Sequence, residues 1–101
     1  MIYRVRTLNV ITEKSEAYQA LLVRAASHLS AQYSGVQVEI LENIAGSRRQ
    51  LHMVTRCDSL AALEAYEVDR KADATWQAMT QEAQTLQATT DATDALYRVV
   101  G

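Results

Sequence analysis

The hydrophobic period of this chain alternates between about 2 and about 3.6 residues, and the order of those changes restricts the folds open to it. Ile2 to Val10 is rich in β-branched and aromatic residues, as a strand requires. From Thr12, Tyr18, Leu21, Leu22, Ala25, Leu29 and Tyr33 recur at three- and four-residue spacing, the stripe of an amphipathic helix. Thr12 is its expected N-cap, and Ser34-Gly35 its stop. Val36 to Ile44 and Gln50 to Cys57 alternate again around a five-residue loop, Ala45 to Arg49, which predicts a β-hairpin. Asp58 or Ser59 can cap a second helical region, and Asp73 a further helix carrying Trp76, Met79, Ala83 and Leu86. Whether these are one helix or two with a bend near Arg70 to Ala72 stays open in the pattern. Gln87 to Asp94 reads as frayed helix and loop, and Ala95 to Val100 as the last strand. The order is βαββαβ, which short right-handed crossovers turn into a four-stranded antiparallel sheet with the helices on one face.

At 101 residues, with no proline and no linker or repeat, the chain is expected to form a single domain over 1–101. The formal charge of -2 argues against a nucleic-acid partner, which needs a basic excess. No apolar run approaches the roughly 18 residues of a membrane span. Arginines interrupt the start of the chain where a signal peptide would be apolar, and Cys57 is the single cysteine, so a reducing, cytoplasmic setting is expected. Arginine outnumbers lysine eight to two.

Splitting each strand by parity shows where those arginines fall. One set, Tyr3, Val5, Thr7, Val36, Val38, Ile40, Leu51, Met53, Thr55, Tyr97 and Val99, is expected under the helices. The other mixes Arg4, Arg6, Arg56, Arg98, Glu39, Gln37 and His52 with Leu8, Leu41, Val54 and Leu96. Arginines set among exposed apolar groups suggest a covered face, and a two-fold homodimer through the sheet is the simplest cover. Glu39 can pair with only part of that charge. The remainder can be met by water, by the partner chain, or by an anionic ligand, because a guanidinium fork suits a carboxylate or phosphate.

The opening Met1-Ile2-Tyr3-Arg4-Val5-Arg6-Thr7, the stretch Leu51-His52-Met53-Val54 with Cys57-Asp58-Ser59-Leu60-Ala61-Ala62-Leu63-Glu64-Ala65-Tyr66, and Ala74-Thr75-Trp76-Gln77-Ala78-Met79 resemble the dimeric α/β-barrel superfamily. Within it, NIPSNAP-like and antibiotic-biosynthesis-monooxygenase (ABM)-like proteins are the most similar branches. The resemblance implies a ferredoxin-like α+β fold, sheet-to-sheet pairing into a dimeric barrel, and a small-molecule pocket in each subunit. It does not imply one chemistry. In the haem-degrading branch, Asn9 and Trp76 match two of three expected residues. The histidine expected about ten residues past Trp76 is replaced by Thr85-Leu86-Gln87, which argues against haem.

Among individual side chains, His52 is the acid–base candidate, since an imidazole with pKa near about 6.5 suits proton transfer. Arg4, Arg6, Glu39, Arg56 and Arg98 are the candidate ligand-binding set, with Trp76 either bordering the pocket or packed in the core. His28 is expected to be a partly exposed surface residue and Cys57 a buried, inert thiol. No residue spacing suggests a metal site, and no cofactor is expected. Three functions remain open: a dimer binding a small anionic or aromatic molecule, a cofactor-independent monooxygenase or isomerase using His52, and a structural dimer without ligand.

Overall fold

A computed structural model describes residues 1–101. Its elements are β1 (Ile2–Val10), α1 (Ser15–Gln32), β2 (Gln37–Glu42), β3 (Gln50–Cys57), α2 (Leu60–Lys71), α3 (Ala74–Leu86) and β4 (Thr89–Arg98). All strand pairs are antiparallel, in the order β2-β3-β1-β4. This is the expected ferredoxin-like α+β arrangement, an open sheet with its helices on one face.

Local chemistry explains most boundaries. The Ser59 hydroxyl accepts from the Ala62 amide at 3.1 Å and starts α2, and Asp73 Oδ1 accepts from the Trp76 amide at 3.0 Å and starts α3. The second helical region is therefore two helices, divided at Ala72 and Asp73. Gly35, at φ +79°, ends the turn after α1 in a conformation that a Cβ would strain. Three local expectations change. Thr12 does not cap α1, because Thr12–Lys14 forms a 3₁₀ turn leading into it. The hairpin loop is longer than five residues, since β2 stops at Glu42 and β3 begins at Gln50. β4 begins at Thr89, not Ala95: Gln87 takes the left-handed conformation that closes α3, so the threonine-rich stretch extends as strand.

The largest correction concerns parity. β1 pairs with β3 in the register Ile2↔Cys57, Arg4↔Thr55, Arg6↔Met53 and Leu8↔Leu51. Even positions of β1 thus share a face with odd positions of β3. The helix side carries Ile2, Arg4, Arg6, Leu8 and Val10, and the open side Tyr3, Val5, Thr7 and Asn9. β4 follows β1, with Arg6↔Asp94 and Arg4↔Leu96 on the helix side and Tyr3↔Tyr97 on the open side. The faces expected for β2 and β3 are right, and those for β1 and β4 are inverted. A one-residue offset in register transfers every side chain to the opposite face.

The core lies between the helices and β1 to β3. Ile2, Val38, Met53 and Cys57 meet Ala26 and Leu29 of α1 and Leu63 and Tyr66 of α2. A second cluster joins Leu8, Val10 and Leu51 to Tyr18, Leu21 and Leu22. Cys57 is buried, and burial pushes its thiol pKa up, as befits an inert cysteine. β4 contributes no residue to either cluster, although Ala88 just before it is buried.

Asp73 ties the helices together. Besides capping α3, its Oδ2 accepts from Tyr33 Oη at 2.8 Å and lies 2.8 Å from His28 Nε2. His28 is thus partly exposed, as expected, and is engaged by Asp73. The Trp76 amide first, then His28 and Tyr33, hold the Asp73 carboxyl down at about 2.

Two predictions follow from these contacts. Asp73→Ala is expected to lower stability by about 1–2 kcal/mol in urea unfolding. Because its folded pKa lies below the unfolded value, the wild type keeps this contribution above about pH 4 and loses it as pH falls through about 2, while the variant lacks that dependence. Thr55 is 1 % exposed and its hydroxyl has no hydrogen-bond partner. The shape-matched Thr55→Val is expected to raise stability by about 1 kcal/mol, read as a higher urea midpoint at unchanged slope.

Candidate functional site

The register of β1 carries two arginines to the helix side, where α2 meets them. Leu63, Tyr66, Glu67 and Arg70 fall at i, i+3, i+4 and i+7 of α2 and so share one stripe. Leu63 and Tyr66 enter the core, and Glu67 and Arg70 meet the sheet where its own charges lie. Arg4, only 8 % exposed, pairs with Glu67. Arg6 makes a bidentate pair with Asp94 on β4, Nε to Oδ1 at 2.8 Å and Nη2 to Oδ2 at 3.0 Å. These side chains line a cleft of about 550 Å³ with Glu64, Val68, Arg70 and Lys71. That volume lies within the usual range for small-molecule sites, roughly 300–1,000 Å³.

Four cations and three carboxylates face this cleft, a local excess of one positive charge. Its electrostatics follow from burial and proximity. Burial and the neighbouring Arg70 charge lower the Arg4 pKa, with Glu67 acting against them. The hydrogen bond to Asp94 raises the pKa of Arg6, and the same bond lowers that of Asp94. A guanidinium remains protonated throughout the accessible pH range, so the cleft is permanently cationic at this end. The Arg70 guanidinium lies 5.1 Å from the Tyr66 ring centroid and 4.6 Å from that of Trp76. Trp76 packs against the core, one of the two expectations for it; it does not line the cleft itself and touches it only by contact with Arg70.

The remaining expected site residues lie elsewhere. Arg56 and Glu39 face the open side, 3.7 Å apart, with Arg56 over the Tyr3 ring at 5.9 Å. Arg98 sits on the helix side at the exposed end of β4, opposite Ile2 and away from the cleft. The four arginines thus do not form one face. His52 is on the open side, so it shares no cavity with Trp76. Its Nε2 lies 2.6 Å from Asn43 Oδ1 and its Nδ1 3.0 Å from Thr7 Oγ1. Asn43 Nδ2 donates to Gln50 Oε1, which leaves Asn43 Oδ1 to accept from His52 Nε2–H and makes Nδ1 the acceptor for the Thr7 hydroxyl. Both ring nitrogens are occupied. Asn9 also faces the open side, where its Nδ2 donates to Asp91 at 2.8 Å. The residues missed in the sequence are Glu67, Arg70 and Asp94. The first two were visible as charges inside the apolar stripe of α2.

No known family profile and no curated protein matches the chain. Solved structures do. A NIPSNAP domain protein from Burkholderia xenovorans superposes at TM-score 0.81 and 15 % identity, covering 99 % of this chain and 95 % of that one. A protein from Nitrosomonas europaea, provisionally assigned as an antibiotic biosynthesis monooxygenase, superposes at TM-score 0.79 and 14 % identity, with both chains covered completely. A similarly assigned protein from Deinococcus radiodurans gives 0.75 and 19 %, covering 100 % and 94 %. The fold is that of the NIPSNAP and ABM-like proteins. At these identities the likeness extends to architecture and not to chemistry.

Removing Glu67 leaves the Arg4 guanidinium buried without its carboxylate. Glu67→Ala is expected to cost about 2 kcal/mol by chemical denaturation, with Glu67→Gln costing less because an acceptor remains. His52→Ala is expected to cost about 1 kcal/mol of stability and to leave any ligand affinity of the cleft unchanged, as titration would read directly.

Proposed function

We propose that the protein is a homodimer, packed sheet against sheet, that binds a small anionic organic molecule in the cleft between β1, β4 and α2. The observation carrying this reading is the gathering of Arg4, Arg6 and Arg70 in one cleft, with Arg4 almost wholly buried. Buried guanidinium groups are costly unless paired, and Glu67 and Asp94 balance only part of the local charge. An entering carboxylate or phosphate would complete it.

The open face supports the dimer. It presents Leu41 and Tyr97, each about half exposed, beside Tyr3, Val5 and Val54. Several of its polar groups are already engaged within the sheet: Asn9 bonds to Asp91, His52 to Thr7 and Asn43, and Arg56 faces Glu39 at 3.7 Å although its Nε has no acceptor. The fold shared with NIPSNAP and ABM-like proteins supports a small-molecule-binding role.

Cofactor-independent oxygenation or isomerisation is the alternative on the same fold. His52 would not serve it as the base for this cleft, since it lies across the sheet with both nitrogens bonded.

Sizing should give twice the chain mass, with a melting temperature that rises with protein concentration. A monomer persisting at micromolar concentration would refute the dimer. Thermal-shift screening with carboxylic acids, hydroxyquinones and phosphates should find a stabilising anion. The expected shift disappears in Arg6→Ala, whose bond to Asp94 is half exposed and therefore of small structural weight. If no anion stabilises the wild type, the binding reading fails and a structural dimer is what remains.

A further inference from the structure

Among the cations of the cleft, Arg70 alone is partly buried without a carboxylate partner. Arg4 holds Glu67 and Arg6 holds Asp94, whereas no acidic group lies within ion-pair distance of Arg70. Lys71 is exposed, so water serves its ammonium. Arg70 Nη1 reaches only the Tyr66 hydroxyl, at a long 3.4 Å, and its Nε is shut off from solvent with no acceptor. An unmet guanidinium N–H in such a place normally has a partner in the working protein. The Tyr66 and Trp76 rings both lie within cation–π distance of the group, and the Tyr66 hydroxyl takes only one long hydrogen bond from it. This arrangement holds the guanidinium in place and leaves most of its donors unused.

We infer that Arg70 is the anion anchor of the cleft and that the molecule it takes is a monocarboxylate, with its hydrocarbon part against Val68, the one apolar residue of the lining. The inference rests on the binding reading above and gives it a residue and a ligand class. Charge sets the class. The cleft carries one positive charge in excess, which a single carboxylate neutralises and a phosphate monoester dianion would overrun. Geometry agrees, because a planar guanidinium matches a planar carboxylate through two parallel hydrogen bonds.

The competing role for Arg70 is mechanical, a cation joining α2 to α3 through two rings. A binding readout separates the two. Trp76 is the only tryptophan and lies against the Arg70 guanidinium, so its fluorescence reports events at this residue. The wild-type protein is titrated with cyclohexanecarboxylate, the uncharged cyclohexanecarboxamide and inorganic phosphate. The acid should change Trp76 emission saturably, and the amide and phosphate should bind at least about 30-fold more weakly, the scale of losing a charge-assisted hydrogen bond. Arg70→Ala should weaken the acid by the same factor. Arg70→Lys, which keeps the charge and is the fallback if Arg70→Ala fails to fold, should recover only part of the affinity because it lacks the fork. Equal binding of acid and amide, phosphate binding at least as tight as the acid, or Arg70→Lys binding like the wild type would each overturn the inference. An anion that stabilises the wild type and Arg70→Lys alike refutes Arg70 as anchor while leaving the cleft a binding site. If no anion stabilises the wild type at all, the binding reading and this inference fall together.

Discussion

Eight cross-strand pairs, from Ile2↔Cys57 to Asn9↔Gln50, join β1 to β3, and their register decides which side of the sheet each arginine meets. β1 is an interior strand, bordered by β3 and β4, so its register is transmitted to both. With even residues turned to the helices, Ile2, Leu8 and Val10 supply the ends of the core and Arg4 and Arg6 its middle. Along β1 the two clusters are thus divided by a polar band that lines the cleft, while Ile40 of β2 packs against both of them.

Helix α2 answers that band with its own charges. An apolar residue at position 67 would leave Arg4 buried and unpaired, and unpaired buried charge outweighs most other single-residue effects. Glu67 offsets it, and Asp94 does the same for Arg6 from the other side. The Arg6–Asp94 pair is half exposed, so it adds little stability and more orientation. Arg70 is the member of this network that the fold does not satisfy. A chain selected for stability alone would have ended the stripe with an aliphatic residue or supplied a carboxylate. Violations of polar satisfaction in an otherwise consistent fold concentrate where function is located.

Element type and order were legible because each depends on local chemistry. The period of α1, the caps at Ser59 and Asp73, and the alternation of β2 and β3 are all written within a few residues. The faces of β1 were not. Tyr3, Val5 and Thr7 look as suited to a core as Ile2, Leu8 and Val10, because both sides of an interior strand are partly covered. The strand's alternation carries no contrast, and only the long-range register with β3 breaks the tie. β4 failed for the opposite reason. Its first half, Thr89 to Thr93, is polar because no helix covers that strand, so it lacks the apolar face by which strands are recognised. The candidate site inherited the β1 error. Arg4 and Arg6 stand out by residue type, but parity alone groups them with Arg56 and His52, and nothing local in α2 marks Glu67 and Arg70 as their partners across the cleft.

Because alternate residues of β1 point to opposite sides, the strand separates two roles at a spacing of one residue. Even positions serve the cleft, and odd positions, with Thr7 and Asn9 bonded to His52 and Asp91, serve the open face. The backbone between them is held by ladder hydrogen bonds on both edges, and such a strand resists independent movement. Pressure on the open face from a second copy would therefore be felt by Arg4 and Arg6 as a change in strand position, not as a change in contacts. On the proposed reading, association and occupancy of the cleft would be coupled through the β1–β4 pair, where Asp94 is both a partner of Arg6 and a residue of the least buried strand. Free energy shared in this way is reciprocal. A dimer interface that fixes β4 also fixes Asp94, and with it the carboxylate that competes with an incoming anion for Arg6.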